Sequence, residues 1–284
     1  MIDRGRFGCS LFPCGRSPRS TRRGWLGLAC AFLVAPLVRA QVPIEGNEGL
    51  RNRALALSKQ GNQAAALPLL EKVAAADPTD IAVLESLGGA LLKEGRIEEA
   101  KARFMDAVVA DPYQQSAWAG LKQWAKAAHA TFEQPKIGPA ASTEVEKDGK
   151  SNFGFDPKSL NRKNGDQAWL EYAKTRTLWV TEKFKLEFPG EVAYRHSLAE
   201  EVDALQNVAE SVMVVKNKKK HENIDPALIT LVELRDQGLL APYVLFARAD
   251  DGIAKDYAAY RDAHEDKLRL YLSNWVISTP PSQQ

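Results

Sequence analysis

The sequence predicts an all-α protein: a short solenoid of helical hairpins followed by a second helical half. Three observations predict it. Residues 34 apart fall into one register from position 47 to about 128. From Asp166 onward, large apolar residues recur at roughly helical spacing. No segment shows the period-two alternation of a half-buried strand. The 284 residues suffice for one or two domains with a sizeable core.

The N-terminal 40 residues stand apart. They hold seven Arg, no Lys and one acid, a net +6, whereas the remaining residues carry 31 Lys+Arg against 35 Asp+Glu, a net −4. The basic character of the chain therefore belongs to its leader, and a surplus of positive charge for binding nucleic acid is missing from the body. Residues 25–38 form an apolar run of 14 after Arg22-Arg23, too short for a bilayer span of roughly 20. Val38-Arg39-Ala40 supplies small or short residues at the −3 and −1 places. This is the pattern of a secretory signal peptide, with cleavage expected after Ala40. Thr21-Arg22-Arg23-Gly24-Trp25-Leu26 resembles the twin-arginine export signal but departs from it at Trp25 and Gly27. Paired arginines also occur in ordinary secretory leaders, so both export routes stay open. Cys9, Cys14 and Cys30 all fall in the leader, which leaves the expected mature chain without disulfide, thiolate site or Cys nucleophile. No other segment is apolar and long enough to span a membrane.

In the repeat, Leu50, Leu84 and Trp118 align, as do Ala54 and Gly88, Leu57 and Leu91, and Gly61 and Gly95. Ala66 matches Ala100, Leu70 matches Phe104, and Pro78 matches Pro112. The small residues let two antiparallel helices approach. The large ones fill the space between pairs. Gly61 and Gly95 end the first helix of each pair, where a left-handed residue is cheap only for Gly. Asp77-Pro78 and Asp111-Pro112 end the second. This pattern resembles the tetratricopeptide repeat, with copies at 47–80 and 81–114 and a third from 115 that fades before its second helix, about 2.5 repeats in all. The resemblance covers residues 47–128.

The resemblance implies a concave face, lined by the first helix of each pair, that binds a peptide or partner protein. Its ligand-facing places map to Arg51, Leu55, Lys59, Glu85, Gly89, Lys93, Gln123 and Lys126. A row of ammonium groups suits carboxylates of a peptide or its C-terminus. An ordinary solvated lysine row is the plainer account. Gly89 leaves a dimple in the groove or merely eases packing.

Residues 131–165, with Pro135, Pro139, Pro157 and a polar stretch from Ser142 to Asn152, read as a linker. The C-terminal helical domain is expected over 166–278, either a bundle docked on the repeats or degenerate hairpins that continue the solenoid. Its helices are expected from Asp166 to the stop at Pro189-Gly190, then about 191–215, 226–237, 239–249, and from beyond Asp251-Gly252 to about 274. Asp225-Pro226 reads as an N-cap with Pro at the first helical position.

Chemistry is sparse. His196 and Glu200, four apart, are expected to share a helix face as an ordinary surface pair, and nothing around them builds a metal-binding Glu-x-x-His set. His264 sits beside Glu265 and Asp266, His129 at a helix end, and His221 in a basic loop after lysines 218–220. Trp169, Tyr172 and Trp179 are expected in the core. No nucleophile elbow, dinucleotide fingerprint or P-loop occurs. The expected protein is a non-enzymatic exported interaction module of the cell envelope, periplasmic in a Gram-negative source and otherwise secreted. It calls for no catalytic residue, metal or cofactor, and oligomerisation through the solenoid is a third class of reading. The alternative is an envelope hydrolase or metal-dependent enzyme with its site in the C-terminal half.

Overall fold

The computed structural model describes residues 46–137, 143–145, 151–153, 164–218 and 224–278. The leader, its cysteines and the expected cleavage site lie outside these residues, as do His221, Lys219, Lys220 and the tail from 279. Five helices come first: α1 (Asn47–Lys59), α2 (Gln63–Ala76), α3 (Ile81–Lys93), α4 (Ile97–Ala110) and α5 (Gln115–Ala127). They pack as antiparallel hairpins, α1 on α2 and α3 on α4, with α5 against α4. The hairpin turns follow from Gly61 and Gly95, whose φ values of +79° and +76° let Asn62 N–H reach back to Leu57 O and Arg96 N–H to Leu91 O. Asp80 caps α3 by accepting from Val83 N–H at 3.3 Å.

The third copy keeps this turn without its glycine. His129, one repeat beyond Gly95, adopts φ +54°, and Ala130 N–H reaches Ala125 O at 2.8 Å. The chain then leaves the repeat. β1 (Thr131–Phe132) follows, and a short antiparallel ladder joins β2 (Thr143–Val145) to β3 (Ser151–Phe153) inside the segment read as a linker.

The second half holds α6 (Trp169–Leu178), a π-turn at Trp179–Lys183, α7 (Phe184–Glu187), α8 (Leu198–Lys218) and α9 (Pro226–Asp236). α10 (Leu240–Ala247), α11 (Asp251–Ala254), α12 (Tyr257–Tyr271), a second π-turn at Leu272–Val276 and β4 (Ile277–Ser278) complete it. β4 pairs antiparallel with β1 through only two residue pairs, Thr131 with Ser278 and Phe132 with Ile277, too few to leave a period-two signal in the sequence. The all-α reading holds apart from these short ladders.

Three helix boundaries differ from expectation. α8 starts at Leu198 rather than near 191, because Ser197 Oγ accepts from Glu200 N–H at 3.2 Å and Arg195 is tied to Gly252 O and to both oxygens of Asp256. The expected first helix runs through a π-turn before α7. The last expected helix is divided into α11 and α12, and α12 is kinked at His264, whose φ of −142° is not helical.

One apolar core runs through both halves, from Ala54 to Ile277, and takes in Trp169, Tyr172, Leu205, Tyr243 and Tyr271. Trp179 is also buried, as expected. Phe104 shows how tightly the repeats pack. Its ring lies between Gly88 and Gly120, where an added Cβ would come within 2.8 Å and 2.5 Å of it. α12 lies on α4: Tyr257 Oη donates to Val109 O at 2.5 Å, and Arg261 donates to Ala110 O at 3.1 Å. Trp118 sets its ring edge-on against Phe132 and Phe246, so β1 and α10 both cover the third copy. No described helix is long and apolar enough to cross a membrane.

Candidate protein-interaction face

α1, α3 and α5 lie side by side. Their shared repeat register lines up Lys59 with Lys93, and Leu55 with Gly89 and Gln123, while Lys126 falls one residue before the equivalent place. Lys59 ends α1, Lys93 ends α3, and Lys126 is the penultimate residue of α5. All three are exposed, as is Gln123. They form one basic edge along the C-terminal ends of three helices, where cations also favour the negative end of the helix dipole. The helix ends by themselves thus account for a lysine at this place.

Arg51 and Glu85 are placed differently. Arg51 is half-buried, and its guanidinium forms a two-pronged pair with Asp80, one contact to Oδ1 at 3.0 Å. That pair ties the first repeat to the cap of the second and holds the Asp80 carboxyl below its ordinary range. Arg51 is therefore a brace between repeats rather than a free ligand group. Glu85 is half-buried, with Oε1 out of solvent and without a hydrogen-bond partner. Gly89, next to the tightly wedged Gly88, faces open space: a Cβ there would meet nothing within 4 Å. Packing does not require glycine at 89, whereas it does at 88. The face thus has a basic edge, an opening at Gly89 and Leu55 half-buried beside it. A cleft of about 300 Å³ near the N-terminal end of the array is floored by Leu50, Val73 and Ala76 and walled by Arg51 and Asp80.

A second polar cluster lies in the C-terminal half; the sequence expected its Tyr172 in the core and paired its His196 with Glu200, a pairing the structure corrects. His196 precedes α8 and does not share a helix face with Glu200. Glu200 is fully buried and pairs with Arg176 at 2.6 Å and with Tyr194 Oη at 2.9 Å. The partners of His196 are Asp250, 2.7 Å from Nδ1, and Glu201, 3.1 Å from Nε2. Glu201 also accepts from Arg248 at 2.7 Å, Tyr172 Oη at 2.8 Å and Arg176 at 3.2 Å. Burial alone would raise the Glu201 carboxyl, but these donors and positive charges outweigh it and hold the group down at about 2. Glu200 has fewer such donors, and burial pushes it up. Burial, with Glu201 close by, pushes the Tyr172 phenol up to about 12.

This network joins elements, and at its outer edge His196 and Asp250 border an open depression of about 520 Å³ with Arg195 and Lys255. Arg248 donates to Ile137 O at 2.7 Å, and Tyr243 Oη donates to the same oxygen at 2.7 Å, so the segment that follows β1 is anchored to the network. Both ring nitrogens of His196 are engaged, and Ser197 is fully buried. His264 packs at a tilt of 47° against Tyr260, with ring centroids 4.8 Å apart. Among the described residues no group of three or more His, Cys, Asp or Glu is placed to hold a metal ion. A local signal for the cluster was hard to see, since its members come from α6, the approach to α8 and the loop after α10.

Compared with known families, residues 57–125 match the tetratricopeptide repeat profile. No curated protein and no solved structure matches the chain.

Proposed function

Since residues 57–125 are a tetratricopeptide repeat segment, a module for binding other proteins, we propose that this chain is a non-enzymatic adaptor of the cell envelope. It docks an extended segment of a partner protein across α1, α3 and α5. Acidic side chains of that segment, or its C-terminal carboxylate, lie along Lys59, Lys93 and Lys126, and a small apolar side chain enters the space over Gly89. The observation that carries this reading is the exposed lysine edge, without an ion pair among the described residues, beside a position where glycine leaves room and packing does not need it. Export places the protein with its partner: the leader is removed after Ala40, and the C-terminal helices cover the end of a short repeat array that needs a cap.

The test is co-purification of the tagged chain from envelope extract in three forms: wild type, K59E/K93E and G89L. The charge reversal and the blocked opening are both expected to lose the same partner while the protein stays folded by circular dichroism. A partner retained by both variants would move the binding site off this face. N-terminal sequencing of the exported protein is expected to begin at Gln41.

A further inference from the structure

We propose that an open depression between residues 131–136, the second π-turn and α9 is a binding site for a neutral saccharide, separate from the helical face. The depression measures about 410 Å³, inside the roughly 300–1,000 Å³ span of small-molecule sites. Its walls are brought together only by the fold. Thr131 Oγ1 donates to Ser278 O at 3.2 Å and Glu133 N–H to Val276 O at 3.0 Å, which sets the segment after the repeats against the end of the last helix.

One wall is aromatic. Trp275 is half-buried, and its indole N–H donates to Gln237 Oε1 at 3.0 Å, which fixes the ring before any ligand arrives. It sits in the π-turn Leu272–Val276. Such turns are rare, widen the helix locally and recur at functional sites.

The other walls are polar and unspent. Glu133, Gln134, Thr230 and Asn274 line the depression, and among the described residues their side chains have no hydrogen-bond or ion-pair partner. Its charges cancel, one carboxylate from Glu133 against one ammonium from Lys136. This combination favours a polar ligand without net charge over a singly charged or wholly apolar one. An anion gains Lys136 but meets Glu133, and a cation meets the reverse. A wholly apolar ligand strands the amides and hydroxyls without partners. A sugar ring satisfies both kinds of wall. Its hydroxyls donate and accept, as amide, hydroxyl and carboxylate groups require. Its C–H face carries the slight positive charge that the electron-rich indole face attracts.

Calorimetric titration of the mature chain with the N-acetylglucosamine trimer, cellotriose and maltotriose tests the site. At least one of the three is expected to bind and to shift tryptophan fluorescence. The W275A change is expected to weaken binding roughly ten- to a hundredfold, the scale of losing one stacking platform. N274A alters an exposed side chain, leaves the fold intact and is expected to weaken binding several-fold. K59E/K93E is expected to leave sugar binding unchanged, which keeps this result independent of the partner-binding face. Absence of binding by all three sugars up to about 10 mM, beyond the range of weak sites, overturns the proposal. So does binding that N274A and W275A leave unaltered.

Discussion

His129 holds a left-handed backbone at the repeat position that is Gly61 and Gly95 in the two preceding copies. A side chain at such φ costs about 1 kcal/mol or more relative to glycine. His129→Gly is therefore expected to stabilise the protein by about 1 kcal/mol, read as a higher urea midpoint with an unchanged slope. Two other glycines separate packing from function. At Gly120 an added methyl would lie 2.5 Å from the Phe104 ring, so Gly120→Ala is expected to destabilise by about 1–3 kcal/mol. At Gly89 the methyl meets nothing, and Gly89→Ala is expected to stabilise helix α3 by up to about 1 kcal/mol. Urea unfolding of the two variants side by side checks both signs. The sequence placed Gly89 on a ligand-facing position and His129 at a helix end, and gave no reading of Gly120. Which glycine is wedged and which is open was not legible there, because that depends on where Phe104 points.

At the scale of the element, the join between the first and second repeats rests on Asp80. It caps α3 and receives Arg51 from α1. Asp80→Ala removes both interactions and is expected to cost about 1–2 kcal/mol. Arg51→Ala removes only a partly exposed ion pair and is expected to cost less than about 1 kcal/mol. If the two losses proved equal in urea unfolding, the cap would contribute nothing and the brace would account for the whole effect. The repeat helices were legible in sequence because their 34-residue register repeats the same close contacts. The approach to α8 was not. Residues 191–197 carry nothing that forbids a helix locally, and Arg195 reaching the start of α12 at Asp256 holds them out of one.

The described residues share one continuous core, and a buried charge network ties α6, α8, α10 and the segment after β1 together. Its pH response follows from Glu201. The folded carboxyl titrates at about 2 against an ordinary 4.5. A value lowered by folding means that the stabilisation is present above the ordinary carboxylate range and is lost as pH falls from about 4.5 towards 2. The shift is worth on the order of 3 kcal/mol. Glu200 is shifted the opposite way by burial, takes up its proton more readily in the folded state, and offsets some of that loss. Urea midpoints at pH 7 and pH 3.5 are expected to fall steeply with acid in the wild type. In Glu201→Gln they should depend less on pH, starting from a lower value at pH 7 because Arg176 and Arg248 lose a buried partner. Equal slopes in the two proteins would place the acid sensitivity elsewhere.

The sequence by itself determined the helical class, the hairpin repeats and the lysines at the ends of their first helices. Each of these is a local pattern: helical spacing of apolar residues, glycine where the turn is left-handed, proline where a helix stops. Tertiary structure decided the rest. It turned Arg51 from a ligand group into a brace, moved His196 from Glu200 to Glu201 and Asp250, and brought residues 131 and 278 together across most of the chain. Those outcomes depend on which buried charges find partners and which chain segments meet. Such choices are made by burial and by distance in space, and neither is written in the order of neighbouring residues.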